Sequence, residues 1–234
     1  DRLAEADVIV VNTCGFLDAA RQEALGELRQ AAKLRRAGRC SRLVATGCLV
    51  QRDRQALLQA VPEIDALVGV HDRDQLVAVV TGQGDPVRIA EKPCGIESDS
   101  GRLRLTARHW AYLRISEGCN QWCSFCTIPA IRGPMRSKPP EMILDEAAEL
   151  IADGARELVL IGQETTSYGR DLGDGTNLAC LLRRLDGLDG LRWLRLMYTY
   201  PSTFDQAAID AIARCERVVR SEERRVGKEC RSRW

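Results

Sequence analysis

Apolar positions along the chain alternate between short continuous runs and longer periodic stretches. Asp7 to Asn12 (DVIVVN) is a nearly unbroken β-branched run, the pattern of a strand buried on both faces. Asp18 to Arg36 then carries Ala24, Leu25, Leu28, Ala31, Ala32 and Leu34 on one broad helical face, and Gly38 fits its stop. Arg42 to Thr46 predicts a second strand, Asp53 to Val61 a short helix, Ala66 to Val70 a third strand and Asp72 to Val80 another helix. Such alternation predicts a parallel sheet with right-handed crossovers. Cys14 and Cys48 each fall just past the C-terminal end of a strand, the edge where open α/β sheets bind ligands.

Thr81 to Gly101 is rich in Gly, Pro, Asp and Ser and reads as a linker. The pattern then resumes. Ala111 to Ser116, Glu157 to Ile161 and Leu191 to Tyr198 are strand-like, and Glu141 to Asp153, Leu178 to Leu185 and Phe204 to Arg214 are helix-like. Three strand–helix units in series suggest a barrel or part of one. The expected organisation is an N-terminal domain over 1–82, a linker over 83–105 and a second domain over 106–219.

The 234 residues suffice for two modest domains. With 45% hydrophobic and 29% charged residues, the composition is that of ordinary globular proteins. No run of 18 apolar residues occurs, so no transmembrane helix and no membrane partner are expected. A net charge of +1 gives no strong field toward nucleic acid, and direct nucleic-acid binding is not predicted. The chain opens at Asp1 without a methionine, so an N-terminal segment is expected to be missing. Arg220 to Trp234 (RSEERRVGKECRSRW) lacks apolar periodicity and resembles translated sequencing-adapter DNA. It is set apart from the fold as a non-native tail; a basic disordered tail is the alternative.

The chemistry lies in Glu117-Gly118-Cys119-Asn120-Gln121-Trp122-Cys123-Ser124-Phe125-Cys126. Three thiols fall within eight residues, in a polar stretch after a strand. Soft thiolates select iron–sulfur clusters or zinc. A closed zinc site takes four ligands, and this loop offers three cysteines and no histidine. A 4Fe-4S cubane on three cysteines leaves one iron open to the amino and carboxylate groups of S-adenosylmethionine (SAM), whose carbon–sulfur bond an electron from the cluster then cleaves. Zinc in a non-enzymatic binding module is the alternative.

The CxxxCxxC spacing, with an aromatic before the last cysteine, resembles the radical SAM signature. The flanks Arg108 to Gly118 and Thr127 to Gly133, the segments Val11 to Ala20 and Thr46 to Leu49, and Gln163 to Gly169 with Tyr198 to Pro201 resemble the methylthiotransferase family, in its RimO branch. The resemblance covers residues 1 to about 219. It implies a flavodoxin-like N-terminal domain followed by a truncated radical SAM (βα) partial TIM barrel. It also implies transfer of a methylthio group to the β-carbon of an aspartate in the twelfth small-subunit ribosomal protein; a tRNA-modifying enzyme of the MiaB branch is the alternative. The implied cofactors are SAM and two 4Fe-4S clusters, one on Cys119, Cys123 and Cys126. The other is an auxiliary cluster on Cys14, Cys48 and a third cysteine in a segment this chain lacks. Phe125 would lie near the SAM adenine, and Gly162, Gln163 and Glu164 near its amino group; a routine strand-to-helix turn is the alternative for the last three. A flavodoxin or ferredoxin type donor and a cytoplasmic setting follow.

Cys40, Cys94, Cys180 and Cys215 lack partners at ligand spacing and are read as buried or linker thiols. His71 and His109 stand without a nucleophile–base arrangement. Arg132 and Arg136 follow the cysteine loop, where contact with SAM or substrate and a surface role are both open.

Overall fold

The computed structural model describes residues 3–93 and 95–219. Cys94 and the tail 220–234 therefore lie outside the described residues. In chain order the elements are β1 (Val8–Thr13), α1 (Asp18–Arg36), β2 (Arg42–Gly47), α2 (Cys48–Ala60), β3 (Ala66–Val68), α3 (Leu76–Val80), β4 (Val87–Arg88), β5 (Trp110–Arg114), β6 (Ser116–Glu117), α4 (Ile128–Arg132), β7 (Arg136–Ser137), α5 (Pro140–Ala152), β8 (Glu157–Ile161), α6 (Leu178–Asp186), β9 (Trp193–Leu196) and α7 (Gln206–Arg214). They form two compact units. One holds the residues up to Ile96 together with Glu117–Arg136, and the other holds Glu97–Ser116 together with the residues from Ser137 on. The cysteine loop thus packs in the same unit as the first sheet, although its sequence lies inside the 106–219 span.

In the first unit β1, β2, β3 and β4 form a wholly parallel sheet in that order. Its central strands are continuous apolar runs because both faces are covered. Leu43 and Ala45 face a core with Leu28, Ala31 and Ala32 of α1 and Leu49, Val50 and Leu57 of α2. Val44 and Val68 pack instead with Val79 of α3. Helices on both faces of a parallel sheet give the α/β character expected. Several details differ from the sequence reading: the strand expected to Val70 ends at Val68, and the helix expected from Asp72 begins at Leu76 after a 3-10 turn. The helix predicted from Asp53 begins at Cys48, with a break at Asp53 (φ −121°, ψ 27°). The stretch read as linker contains β4, whose two residues pair with Leu67 and Val68 and are too few to show any periodicity.

The second unit is a parallel sheet in the order β5-β8-β9. A parallel bridge from Leu194 to Val218 extends the same sense of winding. Leu113, Leu158, Leu160 and Leu194 are fully buried, as are Ile143 and Ala147 of α5 and Leu181, Leu182 and Leu185 of α6. Strands in series, each covered by a following helix, form the open half of a barrel. Lys138, wholly buried, lies 2.6 Å from both carboxylate oxygens of Glu146 and 2.9 Å from Asp99. Arg114 also holds Asp99, donating from Nε and Nη2 at 2.9 Å, and the Asp99 amide donates to Glu146. Residues 98 and 99 of the linker are thereby strapped to the unit. Burial pushes the Asp99 carboxyl up, but hydrogen bonds from Arg114 and Lys138 outweigh it and bring its pKa to about 2. Among the described residues no helix is long and apolar enough to cross a membrane.

Candidate functional site

The cysteine loop rises from a closed neck in the first unit. Gly118 adopts φ +81°, and a Cβ there would press into the Pro134 carbonyl and lie 2.7 Å from the Gly133 oxygen, so only glycine fits. The Cys119 amide donates to the Gly133 carbonyl at 3.3 Å. Asn120 Oδ1 accepts from the Met135 amide at 2.9 Å. The Arg132 guanidinium pairs with the buried Glu117 carboxylate. Residues 117–120 are thus tied one after another to residues 132–135.

Above the neck the loop has little regular structure apart from a turn in which the Cys126 amide donates to the Cys123 carbonyl at 3.0 Å. The Gln121 amide donates to Cys119 Sγ at 3.4 Å. Cys119 is buried, and Cys123 and Cys126 are half-buried. Trp122 and Phe125 are 88% and 81% exposed, so Phe125 is not a core residue. Among the described residues no three thiol, imidazole or carboxylate groups converge on one point. The donor set still fits an iron–sulfur cluster: three thiols on a loop of fixed base, one already accepting a backbone N–H, as cluster sulfurs commonly do.

A second pair of thiols lies in the same unit. Thr13 pairs with Gly47 across β1 and β2, which brings the residues that follow, Cys14 and Cys48, to one rim of the sheet. Thr13 Oγ1 donates to the Thr46 carbonyl at 2.7 Å and fixes the strand ends. A cavity of about 510 Å³ opens there, lined by Asn12, Cys14, Cys48, Arg73 and Arg132 among others. Arg132 Nη2 lies 3.4 Å from Cys48 Sγ. Burial opposes the charge on Arg132, but Glu117 and Cys48 outweigh it and hold the guanidinium pKa above its ordinary value. The sequence left Arg132 open between ligand contact and surface. Nothing in its spacing marks a residue that reaches back 15 positions to Glu117 and 84 to Cys48. His71 packs beside this neck, where burial first and Arg136 second lower its pKa.

In the second unit Gly162 follows β8 and abuts Ser116, whose Oγ would lie 2.5 Å from a Cβ at position 162. That hydroxyl is fully buried and has no hydrogen-bond partner among the described residues. Glu164 is buried and its Oε1 accepts from the Ser167 amide at 3.0 Å and the Thr203 hydroxyl at 3.2 Å. One carboxylate oxygen therefore shapes the turn itself. Gln163 is half-buried. A cavity of about 560 Å³ at the opposite, N-terminal end of these strands is lined by His109, Arg156, Arg192 and Trp193 among others, away from the edge where such sheets place their chemistry. Of the cysteines set aside, Cys40 and Cys215 are buried, and burial raises the Cys215 thiol pKa. Cys180 is exposed on α6 instead of buried.

Residues 1–69 match the family described as "Uncharacterized protein family UPF0004", and residues 113–220 match the radical SAM superfamily. The chain is 46% identical over 215 residues to the ribosomal protein uS12 methylthiotransferase RimO of Symbiobacterium thermophilum, covering 91% of this chain and 44% of that protein. It is 39% identical to the protein of the same name from Clostridium botulinum, covering 92% of this chain and 49% of that one. The chain therefore spans about half the length of the curated relatives it matches. Among solved structures it resembles the radical SAM methyltransferase TsrM of Kitasatospora setae, with a TM-score of 0.62 at 17% identity over 89% of this chain and 46% of that one. At that identity the likeness shows the fold alone.

Proposed function

We propose that this chain, which belongs to the methylthiotransferase family of radical SAM enzymes, contributes the cluster-binding front portion of an enzyme that adds a methylthio group to the β-carbon of an aspartate in the twelfth small-subunit ribosomal protein. The observation that carries this reading is the cysteine loop on its closed neck, in a chain whose similarity to such enzymes runs nearly end to end.

Cys119, Cys123 and Cys126 are the ligands of the radical 4Fe-4S cluster. A 4Fe-4S cluster held by these three cysteines would supply the one-electron reduction that cleaves SAM. The chain's own residues prepare the site. Gly118 and Asn120 fix the loop base, the Gln121 amide supports Cys119 Sγ, and the exposed Phe125 is available to an adenine ring. Gly162 and Gln163, just past β8, would meet the SAM amino group, and Glu164 braces the turn through Ser167 and Thr203. Cys14 and Cys48 are two ligands of an auxiliary 4Fe-4S cluster on the first sheet. A flavodoxin or ferredoxin type protein delivers the electrons, in the cytoplasm. The domain organisation that goes with this reading is an N-terminal domain over 1–82, a linker over 83–105 and a radical SAM domain over 106–219.

The test is an anaerobic assay of reconstituted protein with SAM, reductant and a loop peptide of the ribosomal protein, with tRNA as the parallel substrate, read by mass spectrometry. A mass gain of one methylthio group on the peptide alone supports the reading; modification of tRNA alone contradicts it.

A further inference from the structure

We propose that Arg132 is the positioning residue of the cysteine loop: one arm of its guanidinium closes the neck at Glu117 while the other ties that neck to Cys48, so that the loop's grip on SAM depends on a residue outside the ligand set. The proposal rests on the reading above, in which Cys119, Cys123 and Cys126 hold a cluster that binds SAM.

Arg132 is the last residue of α4, a five-residue helix that begins two positions after Cys126. Its side chain is largely covered, and its first partner, Glu117, is buried and stands two residues before Cys119. Its second partner, Cys48, is the first residue of α2. One side chain thus touches the entry to the cysteine loop, belongs to its exit, and meets a thiol of the first sheet's rim. All three segments lie within one compact unit. A planar fork with several donors can serve two acceptors at once, whereas a lysine ammonium is a single point of charge.

Removing the guanidinium leaves Glu117 buried without its cation, and the neck must shift to hydrate it. The other neck ties, Cys119 to Gly133 and Asn120 to Met135, do not involve Arg132. They keep the loop formed and the three thiols available. What changes is the placement of the loop, and with it the placement of the iron that SAM must reach. Misplacement on the ångström scale costs orders of magnitude where two groups must meet in fixed geometry.

The experiment uses the anaerobically reconstituted chain and its R132Q, R132K and C48A variants. Iron and sulfide are counted per chain, and the reduced cluster is titrated with SAM by electron paramagnetic resonance. R132Q is expected to keep its cluster while needing about tenfold more SAM for half of the spectral change. R132K falls between wild type and R132Q, and C48A shows a smaller change in the same direction. Should R132Q not fold, E117Q/R132Q removes the buried carboxylate charge as well and carries the same readout. A wild-type SAM titration in these variants overturns the proposal. So does loss of iron from R132Q in step with its loss of SAM affinity, because that marks a role in folding alone. Wild-type protein that takes up no iron, or whose cluster ignores SAM, overturns the reading beneath the proposal and the proposal with it.

Discussion

Thr13 and Gly47 stand opposite one another in the parallel register of β1 and β2, and a Cβ at position 47 would press into the Thr13 carbonyl and lie 2.9 Å from its amide nitrogen. Gly47 also adopts φ +103°, a conformation costly to any side chain. This close approach lets α2 begin at Cys48, beside Cys14. G47A is expected to lose about 2–4 kcal/mol of stability in thermal or urea unfolding. G26A, in the interior of α1 with open space around it, should gain about 0.5–1 kcal/mol.

The neck of the cysteine loop makes the same demand at Gly118. G118A forces a Cβ against two carbonyl oxygens at positive φ, and it should open the neck at a cost of about 2–4 kcal/mol. Iron bound after anaerobic reconstitution should fall well below wild type. Iron content equal to wild type would show that the neck does not organise the thiols.

Lys138 is expected to be the costliest single loss in the second unit. K138M leaves Glu146 buried and uncompensated, so about 3–5 kcal/mol should disappear from the unfolding free energy. K138M/E146L removes both charges and should recover much of it.

Asp99 gives that network an acid limb. Its carboxyl, normally near 3.8, is held at about 2. A depressed carboxylate stabilises the fold fully above its unfolded pKa and loses that contribution as pH falls through its folded pKa. The contribution should therefore be complete above about pH 4 and vanish toward about pH 2. D99N should be less stable than wild type at neutral pH and show a smaller stability loss across that window in unfolding titrations.

Ser116 and Gly162 should behave as a pair. The Ser116 hydroxyl is buried without a hydrogen-bond partner among the described residues, so S116A should keep or raise the melting temperature, by up to about 1 kcal/mol of stability. G162A places a methyl 2.5 Å from that hydroxyl and should destabilise. The double variant should recover most of the loss, the non-additivity expected of residues in contact.

Much of the fold was legible in the chain because burial on both faces writes continuous apolar runs. The run at Asp7 to Asn12 became β1, and Asp18 to Arg36 matches α1 residue for residue. What stayed hidden was either too short for a period or non-local. β4 has two residues within a Gly- and Pro-rich stretch, and α4 has five. The early start of α2 depends on Gly47 and its neighbour across the sheet. The cysteine trio and the Cys14/Cys48 rim could be read from spacing and strand ends, since tight spacing and topology are local signals. The neck could not, because Glu117, Asn120, Arg132 and Met135 meet only once the loop has closed. Nor could the work of Glu164, whose partners include a hydroxyl 39 residues on.

Reductive cleavage of SAM is the most direct measurement. Anaerobically reconstituted protein, given SAM and a strong low-potential reductant, should release 5′-deoxyadenosine and methionine. Replacing any one of Cys119, Cys123 or Cys126 with alanine should abolish that release while leaving the fold intact by circular dichroism. Folded wild-type protein that carries iron on these thiols yet leaves SAM whole would contradict the role assigned to them.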